Sequence, residues 1–432
     1  MNWFTFICLS IVFMISPFQW GLFYESNIKM WEWVISVLFI LNLLWYWIRE
    51  RQVLIKNRLY FLVLLLPLMY VAAVPFALNQ EGNGQNIFRF FTYAFFFLLL
   101  IWTKESPRIS KLYPYIFNSL GIAFLMFAVA NIFGVLHLQT SMVGCVEPRS
   151  CGPVRYPNTF GAIMGAYWFY TLAAFIYQKA LTWRDGLIIL LLAGYAGIIM
   201  LTFSRGTYIF FGATFVLALL LLYKKWKKII FISLLVLGLS LGVFNLLSMD
   251  KHIDFNGFSS LTTRFASISP HASTAIARES FYKDALSMSK NSPLFGFGGK
   301  SWTIYYPKYA NRGNGLDQVH NGFLEFLIEI GWVGLSVYVL VLALLIFLIF
   351  KSNEPKERRI GVVLALAAIF GHAMVDYDLS FGTMWLLIFW LMAMGVSTRQ
   401  SLSESYSKSL WTVWNSALSH RHSGMKNEIP HE

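Results

Sequence analysis

Apolar stretches long enough to cross a membrane recur from one end of this 432-residue chain to the other, and that recurrence excludes an ordinary soluble domain. Hydrocarbon offers the backbone no water, so each stretch must be helical within it. About twelve candidate spans follow, at residues 2–19, 31–48, 58–78, 87–102, 112–136, 157–178, 186–203, 206–223, 229–247, 320–350, 360–376 and 383–397. The expected fold is all-α: a polytopic transmembrane helix bundle over residues 1–400, followed by a polar cytoplasmic tail, 401–432. The first segment has neither a basic leader nor a small-residue cleavage site and reads as a retained helix.

Charge orients the bundle. Every second connection is basic: Arg49, Arg51, Lys56 and Arg58; Lys104, Arg108 and Lys111; Lys179 and Arg184; Lys224, Lys225, Lys227 and Lys228; then Lys351, Lys356, Arg358 and Arg359. Short basic connections stay in the cytoplasm. Both termini are therefore expected there, in a multi-pass cell-membrane protein whose large extracytoplasmic loop, 248–319 with short helices, joins spans 9 and 10. The net charge of +13 then reflects topology or phosphate binding and does not imply nucleic acid. Cys145 and Cys151 share an outer loop and read either as a disulfide or as two unrelated thiols, whereas Cys8 reads as a buried small side chain.

On this topology the polar residues that can carry chemistry collect at the outer face. Arg205 lies in a tight turn between two spans, Thr202 to Thr207, where it meets water, an anion or headgroups, or serves as an interfacial anchor. Residues 272–290 read as a short helix with Ile276, Ala277, Phe281, Ala285 and Met288 on its apolar side, and with Arg278 and Tyr282 one turn apart on a shared face. Guanidinium groups fork onto phosphate oxygens, so Arg205, Arg264 and Arg278 together suit a diphosphate carried by a lipid. Gly296, Gly298 and Gly299 permit a close-approaching backbone without the spacing of a P-loop.

His320 opens a long apolar helix and is followed by Asn321, Glu325 and Glu329. A neutral imidazole there takes the proton from an attacking sugar hydroxyl, or else it bonds or packs at the helix start. Glu329 lies deeper in the helix, where a carboxylate needs a partner; it either orients an arginine or locks two helices together. His372 and Asp376 are spaced to share one helical face at the outer end. No tight ligand-spacing motif points to a metal.

Taken in order, Ser204-Arg205-Gly206, then Arg278 with Ser292-Pro293-Leu-Phe-Gly296-Phe-Gly298, then His320-Asn321 with Glu329-Ile-Gly331-Trp-Val-Gly334, resemble the O-antigen ligase and polymerase superfamily of bacterial membrane glycosyltransferases. Arg155-Tyr-Pro157-Asn158-Thr-Phe-Gly161 resembles a further stretch of that family, with Tyr156 before the proline, and His372 with Asp376 resembles its late histidine–aspartate turn. The resemblance covers roughly residues 60–397. It implies a GT-C-like fold, no cofactor and no metal, an undecaprenyl-diphosphate-linked oligosaccharide as donor, and a lipid or glycan as acceptor. Arg205 and Arg278 would bind the diphosphate, and His320 would activate or position the acceptor. Arg264 joins that anion site by charge and location, with Tyr282, Asn321, Glu329, His372 and Asp376 as further substrate-binding candidates.

The reaction so implied is transfer of a glycan to an acceptor hydroxyl with inversion at the anomeric carbon. Two other classes compete. A transporter or flippase of lipid-linked saccharide would use the same basic residues, but the chain shows no paired broken helices or internal repeat. A scaffold for envelope assembly gives no reason for the grouped arginines and histidine.

Overall fold

The computed structural model describes residues 1–49, 57–133, 135, 149–178, 182–248, 257–269, 273–309 and 318–397. The tail 401–432 and Cys145 lie outside the described residues. Cys151 is disulfide-bonded and Cys8 is free.

The described residues form helices and no strands. In chain order these are α1 (Asn2–Ile15), α2 (Glu25–Arg49), a 3-10 stretch (Arg58–Leu64) leading into α3 (Leu65–Ala72), α4 (Gln80–Lys104), α5 (Pro107–Ser110) and α6 (Tyr113–Ile132). Then come α7 (Pro157–Ile176), α8 (Trp183–Leu201), α9 (Arg205–Leu221), α10 (Trp226–Ser248), α11 (Gly257–Ala266), α12 (Ser273–Lys290) and α13 (Ser301–Tyr309). The last three are α14 (Gly322–Lys351), α15 (Lys356–His372) and α16 (Gly382–Gly395). Local chemistry sets the starts: Pro157 occupies the first turn of α7, and Asn79, Ser204 and Asn321 cap α4, α9 and α14 with side-chain oxygens.

A helix coincides with each apolar stretch read from the sequence. Among the described residues, seven helical segments have the length and hydropathy of a full crossing, and four further apolar helices are shorter. Helices α1 and α16 have 14 residues and α9 has 17, about 21–26 Å of helix against a hydrocarbon layer of roughly 30 Å. The molecule is an all-α polytopic membrane bundle. Every residue of α16 is buried, and nearly all of α7, so these helices are apolar all round and form its centre. Peripheral helices instead expose large apolar side chains, Trp33 and Trp47 on α2 and Phe231 on α10, as a lipid-facing surface requires.

Between α10 and α14 the chain packs α12 and α13 over the start of α14. Phe281, Ala285, Met288, Phe297, Trp302 and Tyr306 form a small second core there with Val319 and Ile328. Of the side expected to be apolar, Ile276 is 49% exposed, while the adjacent Ala277 packs against this core. A break in α14 anchors the same segment. Gly331 has φ +68, and the glycine-rich turn slots against it with Gly296 at φ +78. The Phe297 and Gly298 amides donate to the Ile328 and Glu329 carbonyls at 2.9 and 2.8 Å. A Cβ at Gly296 would sit 2.4 Å from the Glu329 carbonyl, so this approach requires glycine.

Candidate active site

One buried carboxylate is the hub. Helix α15 ends at His372, and the following turn swings Asp376 away from the face expected for a continuous helix. His372 and Asp376 therefore do not act as a pair along one helix. His372 bonds Asp378 at 2.5 Å, and Asp378 also accepts from Thr159 of α7 at 2.7 Å, all three almost wholly buried. This ties α15 to α7. Asp376 accepts from Arg278 Nη2 at 2.9 Å, Asn158 Nδ2 at 2.6 Å and Tyr156 Oη at 3.1 Å, and meets His320 Nδ1 at 3.3 Å.

Its side chain is 1% exposed, whereas those of Arg278 and His320 keep 25% and 21%. The hub is hidden, whereas Arg278 and His320 each keep part of the side chain exposed. Burial pushes the Asp376 carboxyl up. The His320 hydrogen bond and the Arg278 charge outweigh it, and the carboxyl is held below the usual range.

The elements around the hub explain its geometry. Arg278 and Tyr282 are one turn apart on α12 and both reach this place, Tyr282 by donating to the His320 carbonyl at 2.9 Å. Burial raises the Tyr282 phenol to about 12, so it stays a donor. His320 has φ +56, an uncommon backbone for a residue with a Cβ. Phe281 stacks on its ring and the Tyr377 ring meets it edge-on, at centroid separations of 6.2 and 4.9 Å. Asn321 caps α14 through Phe323 and Leu324 and donates to the Met374 carbonyl at 2.8 Å, fixing His320 against the turn that carries Asp376.

A group of arginines adjoins the hub at the end of α8. Arg149 Nε donates to the Thr202 carbonyl and Arg264 Nε to the Phe203 carbonyl, at 2.9 and 2.8 Å. Arg205, in the first turn of α9, donates to the Ser267 carbonyl at 3.1 Å. Neither Arg205 nor Arg264 pairs with a carboxylate among the described residues. Burial, then the charge of Arg264, depresses Arg149 to about 10, and burial, then the charge of Arg205, lowers Arg264. Arg149 remains cationic near neutral pH. Arg149 also donates to Asn158 Oδ1 at 2.7 Å, and Asn158 donates onward to Asp376, so Arg149 links the arginine group to the hub.

Glu329 lies outside this network. Its carboxylate accepts from Tyr70 at 2.6 Å, Asn86 at 3.2 Å and the Lys300 amide at 2.6 Å. It joins α3, α4 and the glycine-rich turn to α14, the helix-locking alternative. Sequence alone assigns Arg149, Asn158 and Tyr156 no site role. Asn158 stands in the Arg155–Gly161 stretch, the one available signal, while Arg149 has none beyond its charge.

Residues 187–339 match the family model described as O-antigen ligase. The chain carries an O-antigen ligase family domain. It is accordingly a membrane-embedded transferase of polysaccharide biosynthesis. The match takes in Arg205, Arg264, Arg278, Tyr282, His320 and Glu329, whereas Arg149, Asn158 and Asp376, which complete the network, lie on either side of it. No curated protein matches the chain. Among the described residues, no three His, Cys, Asp or Glu side chains gather as a metal site.

Proposed function

We propose that the chain transfers a glycan from an undecaprenyl-diphosphate-linked donor to an acceptor hydroxyl at the outer face of a bacterial cell membrane, both termini being cytoplasmic and the helices making about twelve crossings in a GT-C-like arrangement. The observation that carries this reading is the hydrogen-bond network joining His320 and Asp376 to Arg278 and Arg149, with Arg264 and Arg205 close enough to act by charge, Arg264 on Arg149 and Arg205 on Arg264. Forked guanidinium groups beside the first turn of α9 suit the diphosphate, because helix starts also favour anions. With Nδ1 of His320 turned to Asp376, its proton rests there and Nε2, which has no partner among the described residues, is left basic.

In the proposed step the acceptor oxygen forms a bond to the anomeric carbon while that carbon's bond to the diphosphate oxygen breaks. The hydroxyl proton passes to His320 Nε2. The leaving diphosphate takes the bonding electron pair, and its charge is met by the arginines. Attack opposite the leaving group inverts the carbon. No metal is assigned a part.

The test is binding of undecaprenyl diphosphate to purified protein, followed through intrinsic tryptophan fluorescence. Arg278→Ala is expected to weaken binding at least tenfold. Unchanged affinity would remove the diphosphate from this site.

A further inference from the structure

A second polar space lies beyond His320. A cavity of about 390 Å³ opens between the starts of α2 and α13, the first half of α4 and the first turns of α14. Contacts connect it to the hub in a fixed order. Tyr377, edge-on to His320, also packs on Phe23, with centroids 6.0 Å apart, and Phe23 lines the cavity. Gln318, two residues before His320, lines it as well. The sequence of neighbours thus runs from the arginine group through Asn158, Asp376, His320, Tyr377 and Phe23 to this cavity.

Its chemistry differs from that of the arginine group. Three carboxylates, Glu25, Glu325 and Glu329, line it against two cations, Arg89 and Lys300. Glu25 Oε2 already binds Arg89 at 2.6 Å and lies 3.4 Å from Lys300 Nζ. A diphosphate would meet no surplus of positive charge here. Yet Glu25 Oε1 and Arg89 Nε are both buried without a hydrogen-bond partner, and Arg89 is only 8% exposed. An orphaned acceptor beside an orphaned donor is costly, and one ligand group that both gives and takes hydrogen bonds relieves both. Sugar hydroxyls do this. Tyr24, Phe90 and Phe326 add apolar ring surface for the C–H faces of a pyranose. The volume lies within the range of small-molecule sites.

We infer that this cavity seats a neutral sugar ring of the acceptor, presenting its hydroxyl past Tyr377 to His320 while the donor diphosphate occupies the arginine group. This rests on the transfer reading above, but its test is separate. Purified full-length protein is mixed with methyl glycosides of glucose, galactose, rhamnose and N-acetylglucosamine, and contact is read by saturation-transfer NMR. Thr303 lines the cavity from an exposed position, so Thr303→Trp blocks it without disturbing the core. Gln318→Trp is a second blocking variant.

The expected result is a signal from at least one glycoside that falls at least tenfold in both variants and survives saturation with undecaprenyl diphosphate. Thr303→Trp should bind undecaprenyl diphosphate as the parent does. No signal from any glycoside, or one that both variants leave unchanged, overturns the assignment. Displacement by undecaprenyl-diphosphate N-acetylglucosamine, but not by undecaprenyl diphosphate, would give the cavity to the donor's own sugar and overturn the acceptor role. Failure of undecaprenyl diphosphate to bind the parent protein would sink the donor reading, while the glycoside signal would still decide whether the cavity takes a sugar.

Discussion

Positive charge is held in two opposite ways, the first of them at α16. At its C-terminal end, Lys104 is almost wholly buried, and its ammonium bonds the Ala393, Met394 and Val396 carbonyls at 2.6, 3.1 and 2.5 Å and pairs with Glu354 at 2.9 Å. Every donor is used and the charge is neutralised, so this end is closed to ligands. At the end of α8, Arg264 and its neighbour Arg205 find only backbone carbonyls, and the Arg205 charge lowers Arg264 further. Helix-end carbonyls orient those guanidinium groups without cancelling them. A cation matched by a carboxylate makes a lock, whereas oriented and unmatched cations leave room for an anion.

That contrast can be broken by substitution, and the largest effect is expected at the hub. His320→Ala should cut glycan transfer by roughly 10²–10⁴-fold while leaving undecaprenyl diphosphate affinity near that of the parent. Turnover assays on folded protein check this, and normal turnover would remove the assigned role. Lys104→Met should cost about 3–5 kcal/mol of stability, because Glu354 and the helix-end carbonyls lose a buried partner. It should leave transfer per folded molecule unchanged, which thermal unfolding and turnover together measure. Loss of turnover at full stability would undo the distinction between the two arrangements.

Arg264→Ala should weaken undecaprenyl diphosphate binding by about 10- to 100-fold. Arg264→Lys should recover part of that loss, since an ammonium keeps charge but not the fork. The smallest effect follows pH. The Asp376 carboxyl is depressed in the folded protein, so the stability it contributes is present above the unfolded value near ~3.9. It is lost as pH falls through the lower folded value. Asp376→Asn should therefore be less stable than the parent near neutrality, with the gap closing below about pH 4; a gap independent of pH would contradict this assignment of charge.

Much of the helical order was legible in the sequence, because hydrophobic runs and basic connections are local signals. The full burial of α16 and α7 is also readable as apolarity all round each helix. The face shared by Arg278 and Tyr282 follows from helical spacing alone. Asp376 was misplaced for a specific reason: spacing assumed that α15 continues, but it stops at His372, and the turn carries Asp376 to partners 56 and 98 residues away, His320 and Arg278. Arg149 was missed because its meeting with Thr202 and Asn158 depends on the packing of α7 against α8. Gly296 permits a close approach on sequence grounds without naming the partner, which proves to be the backbone of Glu329 and Gly331.

The central claim is transfer from a lipid diphosphate, and reconstitution tests it most directly. Purified protein in vesicles would receive undecaprenyl-diphosphate oligosaccharide, with and without a separate acceptor lipid, and products would be followed by gel and mass. A glycosylated product and released undecaprenyl diphosphate are expected. A ladder of repeats on the carrier would mark polymerase activity, and a single transfer to the added lipid would mark ligase activity. Movement of the donor across the vesicle membrane with no new glycosidic bond would contradict the account and establish a transporter.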